Sequence, residues 1–378
     1  MIIQVLTGGS INEALDSART AYEAKGETST ILIEPGTYQE QLTIDIPGLQ
    51  MKNAARTPSI NLHNGGVDAD ENAVRITWYY GHGYQYRSMG DSINYGGSRT
   101  RKWNASVLVT APDFYAENII FENSFNLYVS EKEAADSLYV LPEYTAHEMP
   151  IRPKEIGSTE VQKKIYRERA AAISFTETAT NAHLKNCRAT GRQDVVYGDQ
   201  GASVHWHGGI IGGSVDFIFG AMTLCVDNVT LVANVTNEKN DNCYIAAGRS
   251  GSPDKPSRGM LFYKCHIRYA TEDELVSGPI VIDRAPNRPY LARPWRWWGE
   301  TVWAYTTWDF NMLNLTGWSI GLVKKKEGYN PENPCPYSYE YKSMDGSIYR
   351  PEWVKILTKP RLPDGTKLTP KAWLSNKK

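Results

Sequence analysis

The chain has 378 residues, a formal net charge of −1 and a sequence pI near 6.7. That balance speaks against an electrostatic nucleic-acid binder, and no run of about 18 apolar residues exists to span a membrane as a helix. Aromatic residues make up 11%, with 23 Tyr and 11 Trp against 8 Phe, a bias that suits surfaces able to stack on ring-shaped ligands.

Residues 1–60 read as strand, helix, strand. Ser10 and Glu13 have capping-box spacing. Ile11, Ala14, Leu15, Ala18 and Tyr22 mark one helical face, and Gly26 ends it. The helix is expected to cap one end of whatever the strands build. Thr30 to Glu34 reads as a buried strand, Pro35-Gly36 as a turn, and Gln41 to Ile46 as a second strand. From about 60 to 130 short β-rich runs alternate with Gly, Asn and Asp. Residues 79–101, rich in Tyr and Gly, predict a long loop bordering a groove. Charges dominate 131–168, which predicts a solvated excursion from the core, helical near 160–168.

The β pattern returns from 170 to 310. Several runs share the form apolar-x-Asn/Lys-Cys-x-apolar, as in the stretches 184–189 around Cys187 and 262–267 around Cys265. Two acids, Asp194 and Asp216, sit in uncharged surroundings 22 positions apart. An acid in an apolar run is costly to ionise unless a cation or hydrogen-bond donors compensate, which makes each a functional candidate. The spacing matches one turn of a β-solenoid. The two would then sit on adjacent rungs roughly 4.8 Å apart. Prolines crowd the end of the chain, so residues 320–378 are expected to form a tail wrapping back along the strands, with a helical turn near 352–357.

Chemically, two carboxylates and an arginine make a metal-free hydrolase. Like charges held close cannot both ionise easily, so one acid stays protonated, while an arginine forked onto the other fixes it as the nucleophile. Arg293 is the nominated arginine, and Gln193 is placed to donate to an oxyanion. The His205-x-His207 pair would put both imidazoles on one strand face. No carboxylate or cysteine is expected to complete a metal set, so they read as ordinary strand histidines, with no metal and no cofactor expected. Five scattered cysteines without CxxC spacing suggest reduced thiols. With no signal-peptide pattern at the N-terminus, the expected location is the cytoplasm, or outside the cell if a signal has been removed.

Four motifs resemble the pectin methylesterase (pectinesterase) family of carbohydrate esterases. They are Gly191-x-Gln193-Asp194 with Tyr197, Gly213-x-Val215-Asp216-Phe217-Ile218-Phe219-Gly220, Tyr244-Ile245-x-Ala247, and Leu291-Ala292-Arg293-Pro294-Trp295. The likeness extends from Gly36-x-Tyr38-x-Glu40 to Tyr339-x-Tyr341. It implies an all-β fold, a right-handed parallel β-helix with an N-terminal capping helix, forming one domain over 1–378. It further implies hydrolysis of methyl esters on galacturonate units of pectin or methylated oligogalacturonides, by a monomer. By the same resemblance Asp216 is the nucleophile and Asp194 the acid and base. Arg293 holds Asp216, Gln193 serves the oxyanion, and Tyr197, Phe219 and Trp295 line the sugar subsites. Arg169 stands where the family usually has a glutamine, and is assigned to substrate. Val195-Val196 and Ala292 also depart from the family pattern. An esterase for another acyl group, a non-catalytic polysaccharide-binding solenoid and a lyase on a similar fold stay open as alternatives.

Overall fold

The structure is a computed structural model. It describes residues 1–82, 84–90, 104–139, 152–162, 168–235, 242–252, 257–276, 288–343 and 349–375. Short strands stack in parallel, rung upon rung. One face is a seven-stranded sheet built from Leu42–Ile44, Val107–Val109, Ile173–Phe175, Val196–Gly198, Ile218–Gly220, Tyr244–Gly248 and Tyr290–Ala292. A larger sheet, running from Ile2–Val5 to Lys355–Ile356, forms the remaining wall. The architecture is a right-handed parallel β-helix, as expected.

The corners of this coil explain the repeated cysteine motif. Within the larger wall each rung bends at a residue in the left-handed region. They include Asn118 (φ 57°), Asn186 (47°), Gly208 (68°), Asn228 (56°), Lys264 (54°) and Tyr305 (56°) on successive rungs. Asparagine tolerates that conformation because its short amide can bond locally. Here the Asn186 amide donates to Asn118 Oδ1 at 2.6 Å, tying one corner to the next. The cysteine that follows a corner, Cys187 or Cys265, turns into the core and is buried. All five cysteines are buried free thiols. The motif therefore marks where a rung turns.

The N-terminal helix Ile11–Lys25 covers the first rung as the apolar periodicity predicts. Ser10 caps it by accepting from the Glu13 amide, Gly26 closes it at φ 65°, and Ile11, Ala14, Leu15 and Ala18 are buried. Gly36–Gln39 is a strand rather than only a turn. At the other end the expectation of a helical turn over 352–357 is wrong. Lys355–Ile356 pairs in parallel with the Ser338–Tyr341 strand. The helix lies later, at Pro370–Ser375, where proline suits a first helical turn that needs no amide donor. Its Trp373 is fully buried and donates to the Gly259 carbonyl at 3.2 Å.

Two excursions leave the coil between the rungs at 42–44, 107–109 and 173–175. Neither is what the sequence suggests. In the first, Tyr79, Tyr80, Tyr84 and Tyr86 do not face a groove. They are buried with Phe125 and Ala170 in a small second core. Residue 83 and residues 91–101 of that expected loop lie outside the described residues. The second excursion is anchored rather than merely solvated. Its described residues hold a helix at Glu131–Ala135 and, at the start of the helix expected near 160–168, a 3-10 turn at Glu160–Gln162; residues 140–151 and 163–167 lie outside the described residues. Glu133 and Arg152 form a buried fork at 2.8 and 3.1 Å, with the Tyr86 hydroxyl donating to Glu133 at 2.7 Å. Removing one half of such a pair strands the other charge away from water. Arg152→Ala should therefore lower unfolding free energy by about 3–5 kcal/mol, read from the midpoint of a urea transition.

Candidate active site

The rung carrying Gln193 stacks between the rungs of Arg169 and Val215, joined by parallel bridges. Beyond it Val196–Gly198 pairs with Ile218–Gly220, so Tyr197 faces Phe219 one rung on. The 22-residue spacing of the two acids is thus one full turn, and Asp194 and Asp216 lie on adjacent rungs. Neighbours on a regular strand face opposite ways, yet Gln193 and Asp194 both line one cavity. The chain solves this with a bend, since Asp194 has φ 54° and Asp216 φ 48°. The motif glycines make room for the bend. A Cβ on Gly213 would lie 2.3 Å from Phe217 Cβ, and one on Gly220 would lie 2.1 Å from the Gly198 carbonyl oxygen.

A cavity of about 300 Å³ opens there, lined by Arg169, Gln193, Asp194, Tyr197, Asp216, Phe219, Arg249, Arg293 and Trp295. All eight residues singled out from the sequence are among its walls. Both acids are nearly buried, each 3% exposed. Arg293 forks onto Asp216, Nε to Oδ1 and Nη2 to Oδ2, each at 2.6 Å. The guanidinium also lies 4.0 Å from the centre of the Tyr244 ring, which itself stacks on Tyr290. Among the described residues none forks onto Asp194 in this way. Burial, and next the charge of Asp216, push its carboxyl well above the usual range, while Arg169 and Arg293 partly offset this. Arg169 approaches Asp194 only to 3.9 Å and is about one-third exposed. It therefore supplies positive charge beside the raised acid as well as a donor toward the cavity.

The apolar lip is Tyr197, Phe219 and Trp295. Phe219 meets Trp295 edge-on at 5.6 Å, and Tyr197 tilts against Phe219 at 5.5 Å. Trp297 and Trp298 lie outside this cavity and donate to the Glu327 and Gly251 carbonyls. Arg249 is the cavity residue that sequence reasoning missed. It follows the Tyr244–Gly248 strand and also borders a second, smaller hollow with Arg296 and Trp298. The signal was its position just after the Tyr244-Ile245-x-Ala247 motif.

Elsewhere, the reading of His205 and His207 needs correction. A carboxylate does complete the set, because Asp227 pairs with His207 in register on the next strand and makes a three-residue cluster.

Residues 159–323 match the family model described as Pectinesterase. Among curated proteins, the chain is 26% identical over 264 residues to a probable pectinesterase/pectinesterase inhibitor of Arabidopsis thaliana, covering 68% of this chain and 36% of that protein. It is 26% identical over 336 residues to pectinesterase A of Dickeya dadantii, covering 83% of this chain and 74% of that one. The chain spans between 25% and 53% of the length of the first three Arabidopsis relatives it matches. In structure it is similar to the pectin methylesterase from carrot, with TM-score 0.63, 17% identity and coverage of 98% and 92% of the two chains.

Proposed function

We propose that the chain, acting as one domain over 1–378, is a carboxylic-ester hydrolase that removes methyl esters from galacturonate units of pectin or methylated oligogalacturonides. The observation that carries this reading is the asymmetry of the acid pair, one carboxylate forked by Arg293 and its neighbour held toward the protonated form, at the floor of an open cavity. Asp216 attacks the C6 carbonyl, and Asp194 delivers its proton to the departing methanol. Asp194, now a base, draws a proton from water, which cleaves the acyl-enzyme. Gln193 and Arg169 are the donors available to the developing oxyanion. Methanol release from methylated galacturonides over a range of lengths tests the reading. Release that requires Asp216 is expected, and no release at any length overturns it. A different acyl ester is the second reading, favoured by the charge of Arg169 in this cavity. Acetate appearing in place of methanol would select it.

Trp295 sits half-buried at the lip of the cavity, beside Lys326. Its flat face suits a sugar ring. Trp295→Ala should raise KM by about tenfold with kcat within about threefold, because it removes binding shared by ground and transition states. Initial-rate kinetics on an oligomer series separates the two constants.

The shift on Asp194 fixes the sign of a pH effect. The acid must be protonated for methanol to leave, so kcat falls as pH rises through its raised value. Stability follows the same direction. A carboxyl whose folded pKa is raised contributes stability below its unfolded pKa and loses it as pH climbs through the folded one. Asp194→Asn should therefore be inactive yet melt higher than the parent on the alkaline side of that window, with the difference vanishing in acid. Melting curves across a pH series check it.

A further inference from the structure

A second cluster of ligating side chains lies on the larger sheet, on strands of the wall away from the seven-stranded face that carries the acid pair. On the strand Ser203–Gly213, Trp206 points into the core and is fully buried, so His205 and His207 on either side of it point outward. The next parallel strand, Thr223–Asp227, ends with Asp227 directly beside His207. Asp227 Oδ2 lies 2.9 Å from His207 Nδ1 and 3.4 Å from His205 Nε2. One ligand atom from each residue falls within 4.8 Å of the others. Tetrahedral zinc with nitrogen and oxygen bonds of 2.0–2.1 Å separates its ligand atoms by about 3.3 Å. Both distances bracket that figure, so a metal could seat with small side-chain rotations and no backbone movement.

The surroundings fit as well. Side-chain exposure is 24% for His205, 46% for His207 and 14% for Asp227, so the acid is sheltered while the imidazoles reach solvent. On the far side His183, in register with His205, stacks on it with ring centres 4.8 Å apart and planes 16° from parallel. That stack restrains the His205 ring, and a restrained ligand loses less entropy on binding.

We propose that His205, His207 and Asp227 form a binding site for one divalent transition-metal ion of the zinc class, open to solvent on its outer side. Two imidazoles and one carboxylate suit zinc, nickel or copper rather than calcium or magnesium, which take oxygen ligands. The ion would bridge two consecutive rungs and stabilise the folded coil by mass action. It has no part in ester hydrolysis.

The experiment titrates the full-length, chelator-stripped protein with zinc, with magnesium as control, by calorimetry and by melting temperature. Cobalt then serves as a spectroscopic probe. The expected result is saturable uptake of one zinc per chain in the micromolar range, a raised melting temperature, and visible cobalt absorption. His207→Gln and Asp227→Asn each should weaken uptake by roughly tenfold or more and abolish the zinc-dependent rise. Both positions are on the outer face, and the metal-free melting temperature reports whether each variant folds. Uptake that is unsaturable, equal for magnesium, or unchanged in the two variants overturns the proposal.

Discussion

Replacing Asp216 by asparagine is expected to cut kcat by about 10⁴-fold or more, to the background of uncatalysed release, with KM little changed. Asparagine keeps the volume and tolerates the left-handed backbone that Asp216 adopts at φ 48°. The rung should therefore form normally, and the loss is one of chemistry. An amide oxygen cannot attack as a carboxylate does, and it offers Arg293 one acceptor where the fork used two. Alanine would be a poorer probe, because it adds backbone strain to the chemical loss. Single-turnover assays with unchanged circular dichroism check the point. Residual activity above about 1% of the parent would remove Asp216 from the role of nucleophile.

Arg293→Ala should cost about 10³-fold in kcat, and Arg293→Lys should recover little of it. The guanidinium does two things at once. It aligns both oxygens of Asp216 through a planar fork, and it is among the charges that hold down the raised pKa of Asp194. A lysine ammonium can supply the charge but not two parallel N–H bonds. Without the arginine, two nearly buried acids face each other with less positive charge nearby. The kcat–pH profile should then shift to higher pH as well as fall in height. Normal turnover in Arg293→Ala would refute the pairing as a functional one.

The parts of the molecule that could be read from the chain are those where local chemistry forces a local shape. Gly213 and Gly220 stand where a side chain would strike its neighbours, so their motif points to a tight rung. The 22-residue interval between the acids points to stacking because a coil of strands returns to the same face once per turn. What escaped notice depends on contacts distant in sequence. Asp227 completes the histidine cluster through strand register, twenty positions away from His207. Tyr79 to Tyr86 suggested a ring-lined groove, but the docking of Phe125 and Ala170 buries them. Charge in 131–168 suggested a solvated loop, because sequence alone does not pair Glu133 with Arg152 across 19 residues. The final helix escaped for the same reason. Its six residues have no strong period, and Trp373 finds its partner, the Gly259 carbonyl, 114 residues back.

The separation between consecutive rungs is a property of peptide hydrogen bonding and varies little with side-chain identity. Asp194 and Asp216 inherit their mutual placement from it. Changes in the core residues beneath them leave the two acids aligned as long as the strands stay paired. Under the proposed ester hydrolysis, discrimination between substrates would fall to groups mounted at the turns, such as Arg249 and Trp295, which line the cavity without belonging to the ladder.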